Sequence, residues 1–125
     1  MTKAVVPIQQ ALQSFIAQID GILLTVSSLS GEEFISVSKD ETVAPEDKSI
    51  VSGLAPSFQL VADQSSRLEL GDVKHSTTWV GGRILLQMLV NIDKKILVSI
   101  LLEENANLGL VDEQKNVLIK LLSQI

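Results

Sequence analysis

The side chains best suited to chemistry are few in this sequence, and they are poorly spaced for it. His75 is the sole histidine and there is no cysteine. A zinc site built on it would need further His or Cys ligands, or carboxylates at fitting spacing, so His75 reads as a strand residue. Glu46-Asp47 and Glu103-Glu104 are acidic pairs, but adjacent carboxylates in loops or at strand ends are ordinarily solvated. Asp63 and Arg67 stand four apart, the spacing of a surface pair on one helical turn, worth roughly a few tenths of a kcal/mol. Gly81-Gly82-Arg83 is too short to cradle a nucleotide phosphate. The glycine-rich phosphate and dinucleotide loops and the serine nucleophile elbow are absent from the sequence. Lys94-Lys95 reads as a solvated turn. No catalytic, cofactor-binding or metal-binding residue is assigned, and the protein is expected to act by binding.

Composition narrows the partners. The chain has 125 residues, of which 46% are hydrophobic, 20% charged and 3% aromatic. This is enough for one domain over residues 1–125 with a core made of Leu, Ile and Val. The net charge of −5 repels phosphate backbones and anionic lipid, which argues against nucleic acid and against unaided membrane docking. The longest apolar runs, such as Ile96–Leu102, fall short of the ~20 residues of a spanning helix. The N-terminus reads MTKAVVPIQQ, with Thr2 where a myristoylation signal needs Gly. Any membrane address is expected to be borrowed from a partner.

The periodicity predicts three helices and five strands. A helix over Pro7–Ile19 presents Ile8, Leu12, Phe15, Ile16 and Ile19 on one stripe, with Gly21 as its terminator. Strands follow at Ile22–Ser28 and Glu32–Lys39, joined by a turn at Ser30-Gly31. The acidic stretch Asp40–Lys48 reads as a loop. A second helix over Ser52–Leu68 carries Leu54, Phe58, Val61, Ser65 and Leu68 on its inner stripe. Pro56 falls near the end of its first turn if Ser52 is the cap, or kinks it if the start lies near Ser49. Strands are predicted at Val73–Val80, Arg83–Ile92 and Ile96–Glu103, with turns at Gly81-Gly82 and Asp93–Lys95. A last helix over Asp112–Gln124 has Asp112 as cap and Val117, Leu118, Leu121, Leu122 and Ile125 inside. The first and last strands are apolar on both faces, so they belong side by side at the centre of an antiparallel sheet. The first and third helices then cover one face, and the second helix covers the other.

That arrangement leaves the strand Val73–Val80 at an edge, where unpaired backbone groups invite another chain. Gly53, Ser57, Leu60 and Gln64 lie beside the inner stripe of the second helix, small residues around one Leu. With His75, Thr77 and Trp79 of the edge strand they form the candidate partner interface. Such an interface typically buries about 1,600 Å², and Trp79 is either its anchor or a core residue.

Phe58, Leu60, Asp63, Gln64, Ser66, Arg67, Leu68 and Leu70, in the run FQLVADQSSRLEL, resemble a helix motif of the MEK-binding-partner family of the roadblock superfamily. Asn105–Leu110, NANLGL, resembles a second segment of it. The likeness covers most of the chain, most strongly about Leu54 to Leu110; the N-terminal third, Asp40–Lys48 and Pro56 depart from it. The resemblance implies an α/β (α+β), roadblock/profilin-like fold of order α-β-β-α-β-β-β-α. It also implies a non-catalytic scaffold without cofactors that heterodimerises with a second roadblock-family subunit inside the Ragulator complex. A lipidated subunit would hold that complex on the cytoplasmic face of late endosomes and lysosomes. There it would serve Rag GTPases in TOR signalling and bring MEK and ERK kinases together. Within the superfamily, a homodimeric dynein-type light chain and a small-GTPase regulator are the alternatives.

Overall fold

Residues 2–28, 32–40, 42–69, 75–91 and 96–122 are described by the computed structural model. Their order is α1 (Thr2–Gln18), β1 (Gly21–Ser28), β2 (Glu33–Ser38), α2 (Pro45–Arg67), β3 (His75–Val80), β4 (Arg83–Asn91), β5 (Ile96–Glu103) and α3 (Leu108–Leu122). The strands form one antiparallel sheet in the order β2-β1-β5-β4-β3. The two doubly apolar strands, β1 and β5, are neighbours at its centre, and every residue of β5 except Glu103 is buried. One face packs Leu24, Val26, Val98 and Ile100 against Leu12 and Ile16 of α1 and Leu118 and Leu122 of α3. The other packs Leu23, Leu85 and Leu101 against Val51 of α2, and Leu97 against Phe58. Each such large side chain contributes about 1.5–3 kcal/mol when fully buried. The predicted turns Ser30-Gly31 and Asp93–Lys95, the strand start Val73-Lys74, and Leu70 and Ile125 lie outside the described residues. So do the side chains of Ser66 and Leu121.

The glycine hairpin is built as expected: Gly81 and Gly82 have φ of 55° and 72°, the positive pair that a two-residue turn demands. The end of α1 differs. Asp20, with φ 57°, takes the left-handed position assigned to Gly21, and the Lys39 ammonium pairs with its carboxylate. Gly21 has a steric role instead, since a Cβ there would sit 2.8 Å from Ile16 Cγ1. The start of α1 is also earlier than predicted. The helix begins at Thr2 and runs through Pro7, which gives up one backbone bond inside the helix.

Most of the predicted loop Asp40–Lys48 is shorter than expected, because α2 begins at Pro45. Proline suits the first helical position, and Glu46 and Asp47 complement the positive end of the helix dipole. The amides of Asp47 and Lys48 donate to the Ala44 carbonyl. Pro56 therefore falls mid-helix and cannot donate to the Ser52 carbonyl. Both residues are exposed, so water can meet the freed group.

Two polar ties seat α2 on the sheet. Arg83 Nε donates to Asp47 Oδ1 at 3.2 Å, and Gln87 Nε2 donates to the Leu54 carbonyl at 3.1 Å. Asp47 and Gln87 are both buried, so each needs its partner.

The third helix also starts earlier than Asp112. The Leu110 amide donates to Asn107 Oδ1 at 3.1 Å, making Asn107 the cap of a helix that begins at Leu108. Asp112 is instead one turn in, with Oδ1 2.7 Å from Lys115 Nζ. That hydrogen bond, then the ammonium charge, holds its carboxyl below the ordinary carboxylate range. Val117, expected inside, is exposed, while Val111 is buried; the earlier start lets an extra turn reach the core.

Three outcomes follow from these contacts. Asn107→Ala should destabilise the protein by about 1 kcal/mol in urea unfolding. Arg83→Ala leaves a buried carboxylate without its cation and should cost about 1–3 kcal/mol by the same measurement. The Asp112 carboxyl is depressed in the folded state, so its pairing contributes above the ordinary value and is lost as pH falls through the depressed one. In Lys115→Met, an NMR titration of that carboxyl should move up toward the ordinary value.

Candidate partner-binding face

The contacts of α2 fix which way each of its faces looks, because successive residues turn by about 100°. Asp47, Val51 and Phe58 are buried, with Leu54, Ala62 and Ser65 half-buried along the same line. On one side of that line, Lys48 and Ser52 lean toward Thr25 and Ser36 on β1 and β2. On the other, Leu54 is held by Gln87 of β4, and Ile50 Cδ1 comes within 4.0 Å of where a Cβ of Gly81 would lie. By the same rotation Ser57 and Gln64 fall on this second side, and Gly53 and Leu60 lie farther round, toward the outer face of the helix. Ser57 and Gln64 therefore lie on the flank of α2 nearer β4 and β3, with Gly53 and Leu60 exposed beyond them.

All four are exposed. A Cβ added to Gly53 would meet nothing within 4 Å, so the helix is open where its side chain is smallest. Leu60 is 61% exposed on the outer side, and Val61 and Leu68, at 50% and 66%, add exposed apolar surface on the flank nearer β4. Val61 and Leu68 were expected on the inner stripe. Ser65 faces inward as expected, and Ala62 takes the inward position given to Val61. A stripe spaced 4-3-4-3, as in Leu54, Phe58, Val61, Ser65 and Leu68, follows a 3.5-residue period and drifts off the sheet.

Strand β3 pairs only with β4 among the described strands, so none of them covers its outer backbone edge. Its side chains divide between the two faces. His75, Thr77 and Trp79 stand opposite Met88, Leu86 and Ile84, on the face covered by α1 and α3. Ser76, Thr78 and Val80 stand opposite Gln87, Leu85 and Arg83, on the face of α2. The seven predicted residues thus do not form one side-chain patch: four flank the edge on one face and three on the other. What they share is the backbone edge between them. Trp79 is 63% exposed and is not a core residue. His75 and Thr77 line a groove of about 360 Å³ with Leu108, Asp112 and Lys115.

Ser76, Thr78 and Val80 were missed as companions of the α2 flank. The strand HSTTWV alternates only weakly, so its pattern did not say which face looked toward α2. The Ser76 hydroxyl donates to Gln87 Oε1 at 3.3 Å, and Gln87 in turn holds Leu54, so the edge strand is tied to the helix beside it.

The arrangement can bind another chain by backbone pairing and apolar contact. No group of three or more His, Cys, Asp or Glu able to hold a metal occurs among the described residues. None of their helices is long and apolar enough to cross a membrane.

The sequence model of a family described as "Mitogen-activated protein kinase kinase 1 interacting" matches residues 6–125. No curated protein matches the sequence. Among solved structures, Myxococcus xanthus MglB is similar at a TM-score of 0.76 and 10% identity, over 94% of this chain and 93% of that one. A Roadblock/LC7 domain from Streptomyces avermitilis is similar at 0.66 and 13%, over 83% and 87%. MglC from Myxococcus xanthus is similar at 0.64 and 16%, over 90% and 93%. These identities speak for the fold alone, the roadblock/LC7 fold. With nearly its full length matched by the family's sequence model, the chain belongs to the mitogen-activated protein kinase kinase 1 interacting family.

Proposed function

We propose that this protein is a non-catalytic adaptor that pairs with a second roadblock-family chain through the β3 edge and the adjoining flank of α2. The observation that carries this is their juxtaposition. A strand edge that pairs with no other described strand lies near a helix exposing Leu60, Val61 and Leu68. Exposed apolar surface of this kind near a terminal strand edge is a liability unless a partner covers it. Pairing would extend the sheet and lay the partner's corresponding helix along α2, with Gly53 and Ser57 allowing close approach. The MEK-interacting family supports an adaptor role and a kinase-linked partner.

In the fuller reading, the paired protein is a subunit of the Ragulator complex. It is held on the cytoplasmic face of late endosomes or lysosomes by a lipidated partner. There it supports Rag GTPases in TOR signalling and gathers MEK and ERK. Its mechanism is positional: tethering raises the effective concentration of proteins that must meet. The net charge of −5 fits a membrane address reached through partners. Arg83 is occupied with Asp47, which leaves the small-GTPase-regulator reading without a free arginine in the hairpin.

Leu60→Glu should abolish co-purification with the second roadblock subunit while leaving the helical signal in circular dichroism unchanged. Undiminished co-purification overturns the proposed face. Affinity purification of the tagged chain with mass spectrometry should recover a roadblock partner, the lipidated subunit and Rag GTPases. Light scattering on the isolated chain separates the homodimeric light-chain alternative, which requires a stable dimer of this chain alone.

A further inference from the structure

A second recess lies on the opposite flank of α2 from the pairing face. It measures about 450 Å³ and is lined by Leu23, Thr25 and Ser27 of β1, Glu33 and Ser36 of β2, and Lys48, Val51 and Ser52 of α2. A recess of this size falls within the ~300–1,000 Å³ of small-molecule sites. Its inner wall is buried and its rim is exposed. Leu23, Thr25, Ser27 and Val51 are all at least nine-tenths buried, whereas Glu33, Ser36, Lys48 and Ser52 are exposed.

Three features give the recess a chemical character. First, Ser27 Oγ is buried without a hydrogen-bond partner, and buried hydroxyls in folded proteins nearly always have one. Second, the row of sheet residues that runs from the recess beneath α2 is polar. Ser36, Thr25, Ser99 and Gln87 are successive cross-strand partners, and the Ser99 hydroxyl beyond Thr25 is also unpartnered. Third, the rim carries opposite charges on different elements, Glu33 on β2 and Lys48 on α2, and the two form no ion pair with each other. Apolar Leu23 and Val51 lie between the charged rim and the rest of α2's buried side.

We propose that this recess binds a small zwitterion, a molecule with a carboxylate and an ammonium separated by a short aliphatic spacer. The ammonium faces Glu33, with the hydroxyl of Ser27, the cross-strand partner of Glu33, accepting from it; the carboxylate faces Lys48; the spacer lies on Leu23 and Val51. A single-charge ligand satisfies one wall and leaves the other unmatched, so two-point recognition is the signature. The site is independent of partner pairing, because it uses the other flank of α2.

The full-length chain, labelled with ¹⁵N, would be titrated with β-alanine, γ-aminobutyrate and 5-aminovalerate, and with butyrate and butylammonium as single-charge controls. At least one ω-amino acid should shift the amides of Thr25, Ser27, Ser36 and Ser52 saturably, at about tenfold lower concentration than either control. Lys48→Gln and Glu33→Gln should each weaken that binding about tenfold. Both sit on the exposed rim, so the variants should retain the native amide spectrum elsewhere. Ser27→Ala, which alters a buried site, should also weaken binding, and its spectrum checks that the fold survives. No saturable shift with any of the three ω-amino acids, or equal shifts with the single-charge controls, overturns the proposal. Binding that is indifferent to both rim substitutions overturns it as well.

Discussion

The pairing of β1 with β5 at the middle of the sheet is the contact on which the remaining structure depends. Both strands are apolar on both faces, and both are buried nearly throughout. Such strands are stable only where neighbours flank them and helices cover them on each side. Once they occupy the centre, the hairpin β1-β2 must grow outward on one side and β5-β4-β3 on the other. The chain order then leaves β3 as a terminal strand. The terminal edge is thus a consequence of the core, and the helix that covers the α2 face passes close enough to share its exposed flank.

Covering that face with α2 has its own cost, which the polar ties offset. The helix carries a mid-chain proline and has only Val51 and Phe58 as large, fully buried side chains. Asp47, bound by Arg83, and the Leu54 carbonyl, bound by Gln87, anchor its first half at two points. Its second half rests on Phe58 and small residues, so Leu60, Val61 and Leu68 remain in solvent. A helix held this way is well fixed against the sheet yet offers apolar surface sideways, which suits a protein whose work is assembly.

Strong periodicity made most of the fold legible in the sequence. The doubly apolar strands, the double-glycine hairpin and the stripe of α1 each announce themselves by a pattern that only one structure satisfies. The misreadings occurred where two local signals competed. Acidic residues after a proline looked like a loop, although the same composition suits a helix N-terminus, as Pro45, Glu46 and Asp47 show. Asp112 looked like a cap, but Asn107 reaches the right amide first. In α2 the inward position after Phe58 is Ala62, whose small size hides it beside the larger Val61. For the candidate face, Leu60 was readable as an off-stripe residue. The separation of His75, Thr77 and Trp79 from the α2 flank was not, because it depends on register with β4. A period-two pattern with Thr and Ser on both sides carries no sign of which face is which.

Family membership, a terminal sheet edge and an exposed helix flank converge on a protein that acts by lending its surface. Hydrogen–deuterium exchange on the chain, alone and with a second roadblock-family subunit, tests this most directly. The account predicts new protection across His75–Val80 and along Gly53–Leu68, with the α1 amides unchanged. Stable binding that leaves both segments exchanging at their unbound rates would contradict it.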